Sequence, residues 1–364
     1  MTDRYEPFRE VARQASLDAL AIVPGANFAR LFGQEFHQNE RPLVVVIPVS
    51  GTPAAIVPNL ELASFESIGF EGEVFDWRDQ TGYQAAFDQL MQSLPVNVLG
   101  VEGQVMRVFV DQAFRKAVPA IAIQDAQKQI AALRLHKSEE EIMALRKAIG
   151  ITQKALANTI DVVKVGMTER AIENILVQHL FAEGAQDFAF TPIVAAAQNS
   201  AQPHAHSRED YEIKAGDSLL IDFGARAGGV CADMTRTFFV SHCSDERADV
   251  YNTVLAANEA GHLASMPGAT AHDVDDATTC VLEASAYADR IRHKTGHGLG
   301  RDIHEDPYIM RGNHQVLEPG MVYTIEPGLY ELSDMGVRIE DDLLITDTGS
   351  ESLTQFDKTL TVVG

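Results

Sequence analysis

The chain has 364 residues, 46% of them hydrophobic, and a formal net charge of -23 from 52 acidic and 29 basic residues. This length exceeds what one hydrophobic core usually serves, so we expect two globular domains. An acidic surface repels nucleic acid and anionic lipid, so neither is expected as a partner.

The three cysteines (Cys231, Cys243 and Cys280) lack CxxC spacing, and their odd number does not suit a disulfide framework. The start of the chain, MTDRYEPFREVAR, is charged and has no apolar stretch typical of a signal peptide. The longest apolar runs have the length of a strand and are too short to span a bilayer. The sequence therefore predicts a soluble cytoplasmic protein.

Alternating helical and strand patterns predict an α/β domain over residues 1–130, with buried strands at 42–50, 54–58 and 96–102. This part has no phosphate-binding glycine loop and no HExxH motif. We expect it to supply subunit contacts and one wall of an active site. For Trp77, the only tryptophan, we expect a core or interface role, with contact to a partner's active site as the alternative.

Helices are expected to open the second domain, residues 131–364. Ser138 and Glu141 form a predicted capping box, and helical spacing of apolar residues continues from there to Val165. A second helix is predicted over 168–183.

Two further helices are predicted, at 245–264 and 270–290, the latter with a possible capping box of Thr270 and Asp273. Strands at 218–224 and 234–240 read as one hairpin, and strands at 321–327 and 336–346 as another, which gives an α+β domain. The two hairpins are interpreted as possible halves of an old duplication.

Four acids and one histidine stand out in this second domain. Asp222 and Asp233 are eleven residues apart (222 to 233), one on each arm of the first predicted hairpin. Glu326 and Glu340 are fourteen apart (326 to 340) on the second. Side chains on paired strands can share one face, so each pair can converge. His297 lies in the glycine-rich GHGLG turn, where small neighbours permit close backbone approach.

Four carboxylates brought together repel one another unless cations join them. Two divalent ions balance the charge, and oxygen ligands with one imidazole suit manganese, cobalt, iron or zinc. Each piece alone has an ordinary explanation as a turn or surface residue. The combination predicts a hydrolase with two metal ions.

At this point the motifs resemble the creatinase/prolidase/methionine aminopeptidase superfamily of pita-bread metallopeptidases. The resemblance is carried by residues 24–33, 133–148, 317–330 and 336–346. The chain is most similar to Xaa-Pro dipeptidases (prolidases) and Xaa-Pro aminopeptidases. The resemblance implies an α/β N-terminal creatinase-like domain, an α+β pita-bread catalytic domain, a homodimer and two divalent metal ions (Mn, Co or Zn) per subunit.

The resemblance also assigns roles to the metal ligands. Asp222 resembles the residue that binds one metal with both oxygens, and Asp233 and Glu340 resemble the bridging carboxylates. His297 and Glu326 resemble the ligands of the other metal, with Glu326 also the expected proton shuttle.

Further roles follow around the metals. His204, rather than the neighbouring His206, resembles the outer histidine near the substrate. His293 and His304 resemble the histidines that contact substrate and stabilise the tetrahedral intermediate. Arg338 is a candidate partner for the substrate carboxylate.

Other residues near these motifs receive supporting or ordinary roles. The alternative for Arg338 is a structural pair with Glu340 or Asp342. Thr235 and Thr324 are expected to support the ligands through their hydroxyls. The family usually has an aromatic residue after the glycines of the first hairpin, where this chain has Val230 and Cys231. Because Cys231 lies two residues before Asp233, its oxidation is a hypothetical hazard to the site. No motif covers His242, His262 and His272, which are expected on the surface or on helices.

The predicted reaction is hydrolysis of the peptide bond before proline by an Xaa-Pro dipeptidase. One alternative is an Xaa-Pro aminopeptidase that acts on longer peptides. A second is a related small-molecule amidohydrolase. A degenerate binding protein is a third possibility, which the complete ligand set argues against.

Overall fold

A computed structural model describes residues 3–37 and 39–364, and the chain divides into two compact units, Met1–Arg134 and Leu135–Gly364. In the described part of the chain, no helix combines the length and the apolar character that crossing a membrane requires. Each unit is described by itself below.

The first unit is built on a six-stranded mixed sheet. Its strands are β1 (Ala19–Ile22), β2 (Val44–Pro48), β3 (Ala54–Pro58), β4 (Glu73–Trp77), β5 (Val98–Val101) and β6 (Ala122–Asp125). They lie in the order β4-β3-β2-β1-β5-β6, with β1–β2 and β2–β3 antiparallel and the other neighbours parallel. Its helices are α1 (Glu6–Gln14), α2 (Ala26–Phe32), α3 (Leu62–Ser67), α4 (Gln84–Ser93), α5 (Val108–Ala117) and α6 (Gln127–Ala131).

The predicted strands of this unit are confirmed with small changes at their ends. β2 and β3 are buried along their whole length, as expected for β-branched runs between turn residues. Trp77 ends β4 and is buried, its indole N–H donates to the Pro42 carbonyl at 3.2 Å, and its ring packs on Tyr83. Trp77 is therefore a core residue of the first unit.

Two helix pairs frame the second unit. They are α7 (Glu139–Ile160), α8 (Glu169–Ala182), α9 (Asp245–Ala264) and α10 (Ala271–Glu283). Both predicted capping boxes are present, since Ser138 and Glu141 exchange hydrogen bonds of 3.1 and 3.2 Å and Thr270 and Asp273 do the same. The prediction that the last helix continues to 290 is wrong. Just after the helix, the Ser285 hydroxyl donates to the Leu282 carbonyl and accepts from the Tyr287 amide. These bonds form a turn there in place of a further helical turn.

Fourteen short strands build the sheets of the second unit. They are β7 (Asp187–Phe188), β8 (Ile193–Ala196), β9 (Ser218–Phe223), β10 (Ala225–Ala227), β11 (Val230–Cys231), β12 (Met234–Val240), β13 (Gly296–Gly298), β14 (Glu305–Ile309), β15 (Val322–Ile325), β16 (Gly328–Tyr330), β17 (Gly336–Arg338), β18 (Asp341–Ile345), β19 (Ser350–Ser352) and β20 (Val362–Val363). The two largest sheets have the orders β20-β12-β9-β8 and β14-β13-β15-β18-β19.

The two predicted hairpins differ in how well they match the structure. β9 and β12 pair antiparallel as predicted, with Asp222 opposite Thr235. The second hairpin is split into an outer pair, β15 with β18, and an inner pair, β16 with β17. Pro327 has no N–H to continue the ladder, so the strand breaks beside Glu326. Glu340 lies at the matching break between β17 and β18.

Helices and sheets share apolar cores in the second unit. Residues of α7 and α8, including Leu156 and Leu176, pack with Val194, Leu219 and Ile221 of the four-stranded sheet. Each of these five side chains is fully buried, and truncating one such leucine to alanine typically costs about 2–5 kcal/mol. This packing makes the four-stranded sheet a rigid base for the residues at its strand ends.

Candidate metal centre

The predicted acids and histidine meet at the broken ends of the strands. One ligand atom each from Asp233, His297 and Glu340 lie within 4.8 Å of one another. Nε2 of His297 is 3.7 Å from Oδ2 of Asp233 and 3.4 Å from Oε1 of Glu326. Residues separated by more than 100 positions in the chain therefore share one cluster.

His297 is held in one orientation by the backbone around it. Its Nδ1 is 3.1 Å from the Gly298 carbonyl, which can only accept, so Nδ1 carries the proton and Nε2 faces the carboxylates with a lone pair. A Cβ on Gly296 would lie 1.9 Å from the Thr324 carbonyl oxygen, which confirms why this turn needs glycine. Burial and the nearby His304 lower the pKa of His297 to about 3, so the ring is neutral.

Asp222 is joined to the cluster through Arg338. One guanidinium nitrogen of Arg338 donates to Oδ2 of Asp222, another to the Tyr330 hydroxyl at 2.8 Å, and Nε to the Thr235 hydroxyl at 3.0 Å. The alternative pairing of Arg338 with Glu340 or Asp342 is not the one observed. Arg338 lines the cavity but is 3% exposed, and each of its three guanidinium nitrogens donates to a protein group.

Both predicted hydroxyls contact ligand residues. The Thr235 hydroxyl donates to Oε2 of Glu340 at 2.6 Å, and the Thr324 hydroxyl accepts from the His297 amide at 3.1 Å. The first bond limits the rotation of the Glu340 side chain and the second fixes the backbone that carries His297, which is the usual contribution of groups behind metal ligands.

The cluster has the character of a cation site. Among the described residues, nothing donates to the buried Oδ1 atoms of Asp222 and Asp233. Burial, together with neighbouring carboxylates, raises the pKa values of Asp233 and Glu340 well above their ordinary range. Buried acceptors without donors and carboxyls that resist ionisation are costly, and bound divalent cations would relieve both. The residues present therefore fit the metal ions that their motifs imply.

Glu326 differs from the other acids of the cluster. Its side chain is 16% exposed, and burial raises its pKa to about 7 although Arg338 opposes the shift. A carboxyl with such a pKa gains and loses a proton readily near neutral pH.

A cavity of about 830 Å³ opens onto the cluster. His204, His293 and His304 line it, whereas His206 is not among the lining residues. The ring of His304 stacks at a tilt 4.0 Å from that of His297. The structure thus places every predicted site residue at the cavity or at the cluster behind it.

The three cavity histidines are not equivalent. Nδ1 of His293 lies 2.8 Å from the Lys294 carbonyl and Nε2 lies 2.7 Å from the Tyr330 hydroxyl, so both ring nitrogens have protein partners. Burial lowers the pKa of His293 to about 4. His204 and His304 are exposed to the cavity and are better placed to meet a substrate.

Several residues at the site were not predicted from the sequence. Tyr330 connects Arg338 with His293 through its hydroxyl. It lies in the motif 317–330, which gives no indication of this role from the sequence. Arg292 and Lys294 add positive charge to the cavity wall, and Phe190, Ile193, Ile303 and Leu332 give it an apolar side. Arg292 and Lys294 lie just before the GHG turn in the sequence, and this closeness to His297 is the signal that could have identified them as site residues.

The histidines without motifs have ordinary positions. His242 is exposed, and His272 accepts from the Gly312 amide at 2.9 Å. His262 lies on α9, as expected, but it also contacts the buried carboxylate of Asp341 at 3.0 Å.

Comparisons with known proteins agree with this geometry. The family model of the Creatinase/Prolidase N-terminal domain matches residues 4–136, and that of Metallopeptidase family M24 matches residues 143–347. The "Probable dipeptidase PepE" of Mycobacterium bovis is 33% identical over 355 residues, which cover 96% of this chain and 93% of that protein.

Solved structures of similar proteins cover nearly the whole chain. Recombinant prolidase from Thermococcus sibiricus has a TM-score of 0.94 at 33% identity, covering 99% of this chain and 98% of that chain. The Xaa-Pro dipeptidase from Bacillus anthracis has a TM-score of 0.90 at 28% identity, covering 99% of both chains. The predicted fold class, α/β followed by an α+β pita-bread part, is confirmed, and the chain belongs to metallopeptidase family M24.

Proposed function

We propose that this protein is a metal-dependent dipeptidase that hydrolyses the peptide bond before proline in Xaa-Pro dipeptides. The observation that carries the proposal is the buried cluster of Asp233, His297 and Glu340 at the base of a cavity large enough for a dipeptide. The similarity to proteins named prolidase, Xaa-Pro dipeptidase and probable dipeptidase supports the same substrate class.

Two divalent metal ions are proposed to bind Asp222, Asp233, His297, Glu326 and Glu340, with manganese, cobalt and zinc as the candidates. When bound, such ions activate water and polarise a carbonyl. The ligand side chains are already gathered and largely buried, so metal binding would neutralise charge that the fold has placed in a low-dielectric site.

Glu326 is proposed to move the proton. Its carboxylate lines the cavity beside His297 and is 16% exposed, so it can accept a proton from water and donate it to the departing proline nitrogen. Proline leaves as a secondary amine, which must gain a proton for the C–N bond to break cleanly.

The cavity histidines and Arg338 are proposed to orient the substrate. His204 and His304 expose ring nitrogens to the cavity, where an N–H can donate to a peptide carbonyl or to the developing oxyanion. His293 is engaged by Tyr330 and Lys294, so its proposed part in catalysis requires release of one of those contacts or action through Tyr330. Arg338 is proposed to contribute positive charge at the substrate carboxylate.

The wall of the cavity favours a dipeptide with a free carboxylate. Proline carries a ring and no N–H, so its site needs apolar surface, which Phe190, Ile193 and Ile303 offer. Arg292 and Lys294 are cationic groups of the cavity wall, and each can attract the carboxylate of a substrate. An Xaa-Pro aminopeptidase would place an amide there instead of a carboxylate.

Assembly, location and domain limits are also proposed. We assign a creatinase/prolidase-like domain to 1–130 and a metallopeptidase domain to 131–364, which is supported by the division of the structure at Arg134. A homodimer in the cytoplasm is the arrangement that the family resemblance favours, and sedimentation equilibrium would test the dimer.

One comparison of substrates tests the proposal. Manganese- or cobalt-loaded protein is incubated with an Xaa-Pro dipeptide and with the matching Xaa-Pro-Yaa tripeptide, and release of the first amino acid is measured. Cleavage of the dipeptide alone is expected, whereas preference for the tripeptide would indicate an aminopeptidase. Failure to cleave either, with two equivalents of metal bound, would exclude the proline-specific function.

Substitution of ligands tests the metal centre. Asp233→Ala and Glu340→Ala are each expected to lower kcat/KM by more than about a hundredfold, a typical loss for groups that organise catalytic charge. Asp276→Ala, which removes an exposed acid of α10, is the control. A loss of less than about tenfold in either ligand variant would contradict the assigned mechanism.

A further inference from the structure

The segment 197–208 is the first part of the connection from β8 to β9, and it carries the cavity residue His204. It begins with a single turn of 3-10 helix over Ala197–Ala201 and continues without regular structure. Ala197 has a φ of 50°, an uncommon conformation for a residue with a side chain. Irregular segments of this kind are usually mobile unless specific contacts hold them.

Glu169, the first residue of α8, supplies such contacts from behind the segment. Its side chain is 0% exposed and its carboxylate accepts five hydrogen bonds. Oε1 accepts from the Ala196 amide and from Nη2 of Arg208, both at 2.7 Å. Oε2 accepts from Nδ2 of Asn199 at 2.9 Å, and from the amide and Nε of Arg208 at 2.7 and 3.1 Å.

These donors come from both ends of the segment. Ala196 is the last residue of β8, just before the segment, and Arg208 is its final residue. One carboxylate therefore ties the entry of the segment to its exit. The Asn199 amide group, which Glu169 also holds, donates a second bond to the His206 carbonyl at 3.0 Å, so the contact extends to the stretch around His204.

The chemistry of Glu169 suits this task. An ionised carboxylate without access to water is costly unless several donors surround it, and here five do. Its place in the first turn of α8 adds the favourable end of the helix dipole. A neutral side chain of the same shape could not accept all five bonds, because an amide offers one oxygen and one donor group.

We propose that Glu169 is a positioning residue that holds segment 197–208 so that His204 faces the cavity, a role that rests on the proposed function. Glu169 does not line the cavity. It acts on substrate turnover through the location of His204 alone. If Glu169 contributed only to general stability, its loss would lower turnover equally whether or not His204 was present. Dependence on His204 therefore separates a positioning role from a purely stabilising one.

Hydrogen–deuterium exchange tests whether Glu169 holds segment 197–208, without any assay of activity. Glu169→Gln is expected to increase amide exchange in 197–208 by about tenfold or more, because local opening no longer breaks five charged bonds. Glu102→Gln is the control, since Glu102 is a buried carboxylate of the first unit that accepts from the Asn27 amide group. Unchanged exchange in Glu169→Gln, or an equal increase over 197–208 in Glu102→Gln, would overturn the inference.

A double-mutant cycle tests the action through His204. In manganese-loaded protein, Glu169→Gln is expected to lower kcat/KM for an Xaa-Pro dipeptide by about tenfold. In a His204→Ala background the same change should cost less than about twofold, because the residue being positioned is already gone. Equal losses in both backgrounds, or no loss from His204→Ala, would overturn the positioning role.

The two arms separate this inference from the proposed function. If the parent protein cleaves no Xaa-Pro dipeptide, the proposed function fails, and the effect of Glu169 on turnover fails with it. Hydrogen–deuterium exchange still decides whether Glu169 holds the segment. If Glu169→Gln does not fold, as judged by circular dichroism, Asn199→Ala replaces it, because this change removes one of the five donors and the bond to the His206 carbonyl while Arg208 still pairs with the buried charge. The same exchange pattern and the same cycle with His204→Ala are then expected.

Discussion

At the scale of single residues, burial determines how the metal centre behaves without metal. Glu326 has an ordinary pKa of 4.5 and a pKa of about 7 in the folded protein, chiefly because it is buried. Its raised pKa means that the folded state binds this proton more tightly than the unfolded state does. The resulting stability is complete below pH 4.5 and is lost as the pH rises to about 7.

Glu326→Gln should therefore stabilise the metal-free protein relative to the parent as the pH rises. The advantage is expected to grow across the window from 4.5 to about 7, reaching about 3 kcal/mol above it, since glutamine does not titrate. Urea unfolding in the presence of a chelator, at several pH values, gives the difference. Glu139→Gln, at an exposed position in the first turn of α7, is the control. A difference that does not change with pH would contradict the raised pKa.

The cysteines differ in exposure and therefore in their expected reactivity. Cys231 is 1% exposed, and burial raises its pKa to about 11, whereas Cys280 is exposed. Because the thiolate is the reactive form, iodoacetamide should modify Cys280 in the native protein and leave Cys231 intact. Peptide mass mapping before and after unfolding checks this. Early labelling of Cys231 would mean that the thiol opens to solvent.

At the scale of elements, both acid pairs occupy matching places in matching arrangements. An outer antiparallel pair, β9 with β12 or β15 with β18, encloses a short inner pair, β10 with β11 or β16 with β17. In each case the acids lie where the outer strands end. This shared pattern is what the duplication hypothesis predicts, and it explains why the breaks in the ladder coincide with ligands.

The sequence revealed the elements and ligands that have local signals. Capping boxes marked two helix starts, and strand patterns paired Asp222 with Asp233 and Glu326 with Glu340. It could not reveal contacts made between distant parts of the chain. The bond between Arg338 and Asp222 spans 116 positions in the chain. In the sequence, Glu169 is an ordinary acidic residue of a first helical turn, and only the structure shows its contacts with Arg208 and Ala196.

The turn that carries His304 depends on another distant contact. Lys137, just before α7, lies 2.6 Å from Oε1 of Glu305, the first residue of β14, and both side chains are 3% exposed. Lys137→Met should cost about 3 kcal/mol in the free energy of unfolding, because it leaves a buried carboxylate with less compensation.

Urea unfolding at constant metal concentration measures this loss. The control is Arg146→Met, which breaks the ion pair with Glu351, where both side chains are nearly half exposed, and should cost less than about 1 kcal/mol. Combining Lys137→Met with Glu305→Leu should restore much of the stability, since no buried charge then remains. Equal losses for Lys137→Met and Arg146→Met would show that the buried ion pair contributes no more to the free energy of unfolding than the exposed one.

At the scale of the whole molecule, the two units have separate cores and separate reporters. The buried clusters of Met1–Arg134 contain Trp77. The buried clusters of Leu135–Gly364 contain chain neighbours of four proposed metal ligands, namely Phe223, Met234, Ile325 and Ile339. All five proposed metal ligands lie in the second unit, so stabilisation by bound metal should appear only there.

Thermal unfolding followed by two signals tests this division. Metal at about 100 times its Kd adds about 2.7 kcal/mol, which raises the midpoint of a unit of this size by about 8 °C. We expect a chelator to lower the far-ultraviolet circular dichroism transition of the second unit by that amount while the Trp77 fluorescence transition stays in place. Trp77→Phe provides the fluorescence background. If both transitions move together, the units unfold cooperatively, and the metal ligands of one stabilise the core of the other.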